Sequence, residues 1–392
     1  MAEADAIGNG LDLERVREEF EASTDFTIGL EEEFMLLDPE SLELVHKFEE
    51  LHDLCLADGV LADSAAGELI DTEIEIRSGR GETFAEAASQ QQVNRDRLFA
   101  LAQRSGVALG SVGTHPWADY RDQQIIDTPH YRRLQHDLGW VAQRNNTWSM
   151  HVHVGIQGAD RAVAVSDRLR EYLPILLAAS ANSPFLDGRD TGLHSVRTEI
   201  FTRSFPRCGV HEPFVDWNTY ASFVDLLHRT GTIVEATQLW WSVRPHHHFG
   251  TVEVRICDAQ TDGRESISLA GLAAACVGQA ARDYDESGGA NPELRSGREI
   301  EENFWRAIRY GMDGEMIDFD SGAVVPTREV LERTIEWAAP AADEMRIEIQ
   351  LPERNGAQRA RAALEEGRSL EEILRFSVGL TAETYAPKGA DR

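Results

Sequence analysis

The sequence predicts an α+β fold: a β-sheet with helices packed on it and a helical C-terminal part. Three observations lead there. Strand-like stretches recur at 26–37, 70–77, 107–113, 149–156, 195–203 and 250–257. Longer helical patterns lie between several of them, near 83–105, 129–145, 160–182, 216–231 and 263–283. Beyond the segment SGGANPE, residues 287–293, the pattern is mostly helical.

Taken in order, residues 11–22 read as a short helix, and TIGLEEEFMLLDP, residues 27–39, opens the sheet. The turn Asp38-Pro39-Glu40-Ser41 predicts a hairpin to a partner strand at 42–46. No repeat or low-complexity segment interrupts the chain. The expected organisation is one catalytic domain over 1–392, with a sheet-based core at 25–285 and a helical part at 294–385 packed on it. The tail APKGADR is expected to fray.

The 392 residues, 42% of them hydrophobic, can bury a sizeable core. The formal net charge is −30, and Lys47 and Lys388 are the only lysines among 38 basic residues. Such a field repels nucleic acid and anionic membrane, so neither is an expected partner. An acidic, lysine-poor surface suits molar salt, where charge is screened within about 3 Å. A GC-rich genome would explain arginine over lysine but not the acid excess. Cys55, Cys208, Cys257 and Cys276 are far apart and suggest neither a zinc cage nor a disulfide framework. The N-terminal MAEADAIGNGLDLERVREEF has no apolar signal core, and no run is long enough to span a bilayer. A reducing cytoplasm is the expected setting.

The chemistry is written in the strands. Residues i and i+2 share a face of a strand. In GLEEEF, Glu31 and Glu33 share one face, opposite Leu30 and Phe34. In DTEIEIRSG, Glu73 and Glu75 lie opposite Ile74 and Ile76. In MHVHVGI, His151 and His153 lie opposite Val152 and Val154; in TVEVRICD, Glu253 and Arg255 lie opposite Val252, Val254 and Ile256. A solvated face of an antiparallel sheet also alternates, but it mixes Thr, Ser, Lys and Gln. Four dyads drawn from Glu, His and Arg predict one shared hollow. Four glutamates there would repel one another unless cations join them. Oxygen-rich ligands favour Mg²⁺ where phosphates also bind, and a histidine admits Mn²⁺. Glu32 must point the other way, toward an arginine or a helix N-terminus.

Other residues keep two readings open. His246, His247 and His248 could bind metal, or could enter a strand or loop. His115 could touch substrate or shape a turn. Asn303, Arg306 and Arg309 share a helix face and could reach a nucleotide, or could solvate that helix. Cys257 and Cys276 read as core thiols.

GLEEEF, EIRSG (75–79), GTHPW (113–117), HVHVG (151–155) and RPHHHFGTVEVRICDAQ (244–260), in that order, resemble the glutamate–cysteine ligase type 2 family of ATP-dependent carboxylate–amine ligases. The resemblance continues less specifically into ENFWRAIRYGMDGE, 302–315. It implies a glutamine-synthetase-like catalytic fold: a curved, mostly antiparallel sheet forming an active-site funnel, with helices on its outer face. It implies Glu31, Glu33, Glu75, His151 and Glu253 as metal ligands, and Arg255 as a phosphate holder. Arg197 would grip the transferring phosphoryl group or a substrate carboxylate, and Arg306 would reach the nucleotide. Trp148, where many relatives carry a small residue, would narrow the substrate end.

The family's reaction has a carboxylate attack the γ-phosphate of ATP, after which an amine takes the acyl group. Neither lysine sits in a P-loop, so ATP would be held by metal and by arginine forks. The expected activity joins the γ-carboxylate of L-glutamate to the amine of L-cysteine with ATP and Mg²⁺ or Mn²⁺, in a haloarchaeal setting. Another amine acceptor is the first alternative. A zinc hydrolase using His151, His153 and Glu253, or a nucleotide-binding protein without turnover, are the others. A homo-oligomer is compatible with all of these.

Overall fold

The structure is a computed structural model that describes residues 11–291 and 293–387. The first ten residues, Pro292 in the predicted break and the tail from Lys388 lie outside the described residues.

Seven strands form the principal sheet: β1 (Ile28–Leu37), β2 (Ala65–Ala66), β3 (Glu73–Arg77), β4 (Ala108–Gly110), β5 (Met150–Gly155), β6 (Val243–His246) and β7 (Thr251–Val254). Their order is β6-β7-β5-β1-β3-β2, with β4 also paired to β1. Every pairing in it is antiparallel. The helices are α1 (Leu13–Glu21), α2 (Phe48–Leu56), α3 (Phe84–Arg104), α4 (Pro129–Leu138), α5 (Trp140–Gln143), α6 (Ala159–Leu169), α7 (Leu173–Ser180), α8 (Val196–Ser204), α9 (Trp217–Arg229), α10 (Gly263–Glu286), α11 (Gly297–Tyr310), α12 (Thr327–Met345), α13 (Gly356–Glu365) and α14 (Leu370–Tyr385).

The apolar face of the sheet is covered by helices. Leu30, Val152, Val154, Val252 and Val254 pack with Leu272, Ala273 and Val277 of α10 in one buried core. Phe34 and Leu36 join Leu98 and Leu101 of α3 in a second. Burying an aliphatic side chain of this kind is worth about 1.5–3 kcal/mol, so these strands are pinned in register by their apolar side. A one-residue slip would turn every carboxylate on the other face into the core. Beyond the principal sheet, α12 lies against α10, and a short hairpin, Glu315–Asp318 with Ala323–Pro326, precedes α12.

Some elements differ from the sequence reading. Residues 195–203 are helix α8, not a strand: Val196 and Ile200 are one helical turn apart, and Ser195 caps the helix by accepting from Thr198 N at 3.2 Å. The pattern at 129–145 divides into α4 and α5 at Gly139, whose φ is +57°. That at 160–182 divides at the 3₁₀ turn Arg170–Tyr172, before Pro174 at the start of α7. The turn at 38–41 forms, with Asp38 Oδ1 accepting from Glu40 N and Ser41 N at 3.0 and 2.8 Å. Its partner at 42–46 is only a single bridge, Leu37 to Leu44. β6 escaped the sequence reading because it contains Pro245, which an edge strand tolerates.

Candidate functional site

The register of the sheet sets the site. Across β3, β1, β5 and β7 the aligned pairs are Glu33 with Glu75, Glu31 with His151, and His153 with Glu253. Paired residues in adjacent strands share a face, so the four dyads meet on the side away from α3 and α10. β6 extends the row by pairing Arg244 with Glu253.

Glu31 lies at the centre. Its Oε2 is 2.9 Å from His151 Nδ1, and its Oε1 is 3.3 Å from His153 Nε2. Glu33 accepts from Ser149 Oγ at 2.8 Å and from Ser149 N. Ser149 Oγ is also 3.0 Å from His151 Nε2. Arg77 Nε donates to Glu75. Glu253 is clamped between two guanidinium groups, accepting from Arg244 Nε at 2.6 Å and from Arg255 Nη1. His153 Nδ1 is 3.0 Å from Thr251 Oγ1.

Three overlapping groups of ligand atoms result: Glu31, Glu75 and His151; Glu31, His153 and Glu253; and Glu33, Glu68 and Glu75. Within each group the atoms lie within 4.8 Å of one another, close enough to share one ion. The electrostatics agree with a site built for cations. Burial, then the nearby carboxylates Glu33 and Glu31, push Glu68 up to about 7. Burial, opposed by Arg77 and helped by Glu31, Glu68 and Glu33, holds Glu75 well above the usual carboxylate range. Glu73 is raised by burial and Glu33, and its Oε2 is buried without a hydrogen-bond partner. Against the cost of burial, His153 and His151 hold Glu31 well below the ordinary range, and Arg244 and Arg255 do the same for Glu253. His151 is lowered by burial and by Arg255, which leaves its imidazole neutral, as a metal ligand requires. Burial and mutual repulsion thus raise Glu68, Glu73 and Glu75, and a divalent cation bound among them would relieve that repulsion. The donor set, oxygen-rich with one or two imidazoles, fits Mg²⁺ or Mn²⁺.

The remaining sequence candidates fall elsewhere. Glu32 points to the helix side, as its alternation requires. There it accepts from Arg95 Nε at 2.7 Å, from Arg95 Nη2, from Gln91 Nε2 at 3.1 Å and from Ser266 Oγ. Arg197 stands on α8, where its Nη1 and Nη2 donate to the carbonyls of Ile256 and Arg255 at 3.1 and 3.2 Å. Arg306 donates to Glu315 O at 3.2 Å, while Asn303 exchanges hydrogen bonds with Ile317 and Arg309 donates to Gly192 O. That helix face therefore fastens neighbouring loops, and the structure does not place Arg306 among the cluster's partners. Trp148 is fully buried in an apolar cluster with Met35, Leu37 and Val112. His115 shapes a turn, its Nδ1 accepting from Ala118 N at 3.0 Å and its Nε2 lying 2.8 Å from Leu42 O. His247 is bound to Tyr220 Oη at 2.8 Å, and the four cysteines are free thiols.

Several partners of the cluster escaped the sequence reading, among them Ser149, Arg77, Glu68 and Arg244. Glu68 lies in the loop before β3, where no strand period marks it. Arg244 sits in the strand that Pro245 disguised; its only signal is that residues 244 and 253 face each other across the tight turn at 247–250.

The helix-backed antiparallel fold is shared with solved ligases and synthetases. A glutamate–cysteine ligase from Francisella tularensis, solved in complex with AMP, superposes with a TM-score of 0.66 at 10% identity, covering 93% of this chain and 90% of that one. A bifunctional glutathione synthetase from Pasteurella multocida superposes with a TM-score of 0.65 at 12% identity, over 95% of this chain and 54% of that one. At these identities the likeness establishes the fold. The family follows from sequence: the model of "Glutamate-cysteine ligase family 2(GCS2)" matches residues 27–379, and the chain belongs to that family. It is 41% identical over 351 residues to "Putative glutamate--cysteine ligase 2-2" of Rubrobacter xylanophilus, covering 89% of this chain and 90% of that protein. It is 38% identical to "Putative glutamate--cysteine ligase 2" of Sorangium cellulosum over 89% of this chain and 91% of that one.

Proposed function

We propose that the protein is an ATP-dependent ligase that forms γ-glutamylcysteine from L-glutamate and L-cysteine through a γ-glutamyl phosphate, releasing ADP and phosphate. The observation that carries this is the convergence of Glu31, Glu33, Glu75, His151 and Glu253 into overlapping cation-binding groups flanked by Arg255. Family membership supports the ligase chemistry, and the AMP bound in the Francisella tularensis ligase supports the nucleotide.

The reaction brings two anions together, a carboxylate and a triphosphate. It needs positive charge fixed in advance at the phosphoryl oxygens. Glu31, Glu33, Glu68, Glu75, His151, His153 and Glu253 would hold Mg²⁺ or Mn²⁺, which supplies charge neutralisation at the phosphates. Arg255 supplies a fixed guanidinium beside them. Its fork is oriented by Glu253, and the carbonyl of Arg255 is held in turn by Arg197. Arg197 therefore acts as a positioning residue for Arg255. The neutral form of His151 keeps a nitrogen lone pair for the metal, and Arg244 keeps Glu253 ionised.

The test is ADP release with glutamate fixed and a panel of amines varied, in high salt with Mg²⁺ or Mn²⁺. Cysteine should give the highest kcat/KM and the product should be γ-glutamylcysteine. A better amine would reassign the acceptor within the ligase class. ATP-independent hydrolysis that survives without Mg²⁺ would overturn the reading.

A further inference from the structure

The turn between β6 and β7 sets one apolar ring against the polar face of the sheet. Phe249 is 56% exposed. Its ring stacks on His246 with centroids 4.6 Å apart and planes 10° apart. It meets His153 edge-on at 5.6 Å, and His246 meets His153 edge-on at 5.0 Å. Because His153 belongs to the group with Glu31 and Glu253, contiguous rings lead from a cation-binding group outward to Phe249.

The ring is held in place. Gly250, next in the chain, has φ +58°, and a Cβ there would come within 2.9 Å of Glu19 O. Its carbonyl accepts from Ser23 Oγ at 2.8 Å and from Ile156 N at 3.2 Å. Two residues before Phe249, His247 is fixed by Tyr220. One face of the phenyl ring is taken by His246, and the exposure of the residue leaves the other open. A rigid aromatic face kept in water beside an ionic cluster forgoes the burial that the rest of the core obtains.

We propose that the open face of Phe249 is the stacking platform for the nucleotide base; this rests on the ligase reading above. Cations and Arg255 draw the phosphates to the middle of the sheet, and the carboxylates around them do not stack on the flat face of a base. A phenyl ring backed by an imidazole does. Stacking uses a π-face common to every base, so this platform gives affinity and not base identity. Glutamate and cysteine are aliphatic and have no flat face to place there.

Direct binding of a non-hydrolysable ATP analogue and of inorganic tripolyphosphate, each with Mg²⁺, separates base from phosphate. Phe249→Ala should weaken the ATP analogue about 10- to 100-fold and leave tripolyphosphate unchanged. In the ADP-release assay the same variant should raise KM for ATP and leave kcat and the KM for glutamate within about twofold. Phe249→Tyr should restore ATP affinity, and because the ring is exposed both variants should melt near the parent. An unchanged affinity for the ATP analogue in Phe249→Ala would overturn the inference while leaving the ligase reading intact. So would a rise in the KM for glutamate alone, or an equal loss of tripolyphosphate. A parent protein that binds no ATP analogue would overturn both.

Discussion

Glu31, Glu32 and Glu33 are consecutive carboxylates with opposite fates. Glu32, on the helix side, is saturated: Arg95, Gln91 and Ser266 all donate to it, and Arg95 is further stacked 4.5 Å from the Tyr385 ring centroid. Glu31 and Glu33, on the other side, share their space with Glu75, Glu68 and Glu73, and burial and neighbouring carboxylates raise the last three above the ordinary carboxylate range. The same residue type serves stability on one face and holds an unresolved charge on the other. A buried acid with a full complement of donors is structural. Buried acids crowded by one another, as Glu68, Glu73 and Glu75 are, are the ones whose repulsion a bound cation would relieve.

The largest effect that would sharpen this contrast is on turnover. Glu253→Gln should lower ADP formation by at least about 100-fold, since removing even outer-shell partners of a metal costs 10–100-fold. Circular dichroism should show it folded, and near-normal turnover would remove Glu253 from the site.

Next comes stability, where the two faces should respond in opposite directions. Glu32→Ala leaves Arg95 buried without its counter-charge and should cost about 3–5 kcal/mol, read in urea denaturation. Glu75→Gln removes a like charge and should leave the metal-free protein as stable as the parent, or more so. Equal losses from the two would erase the distinction.

A smaller effect follows from pH. In the folded protein the Glu68 carboxyl is raised to about 7 from an ordinary value of 4.5. A carboxyl raised in this way favours the folded state at low pH, and its contribution is lost as pH rises through about 4.5 to 7. With chelator present, Tm should contain a component that falls across that window, and Glu68→Gln should flatten it. The smallest effect is that of salt on the outer surface. With a net charge of −30, transfer from molar KCl to dilute buffer should lower Tm by unscreening self-repulsion. No change would remove the high-salt argument without touching the site.

Much of the contrast was legible in the chain because period two is a local property. Alternation alone put Glu31, Glu33, Glu75, His151, His153, Glu253 and Arg255 on polar faces and sent Glu32 toward an arginine. Alternation fails wherever the backbone leaves the strand. Glu68 reaches the cluster from a loop, and Arg244 from a strand that Pro245 concealed. At 195–203 the β-branched residues suggested a strand, but a serine cap and the Val196–Ile200 spacing made a helix. Trp148 shows the other limit: it precedes β5 by two residues, yet which way its ring turned depended on the space left by Met35, Leu37 and Val112, which no local pattern contains.

The proposed cation site on the crowded face should fill with divalent ions in the absence of nucleotide. Electron paramagnetic resonance titration of the metal-stripped protein with Mn²⁺ tests it directly, because free and bound ion are counted separately. Glu31 belongs to two of the three ligand groups. The parent and Glu32→Gln should bind the same number of ions, and Glu31→Gln should bind fewer, with all three folded. A parent that binds no Mn²⁺, or a Glu31→Gln variant that binds as many ions as the parent, would contradict the account.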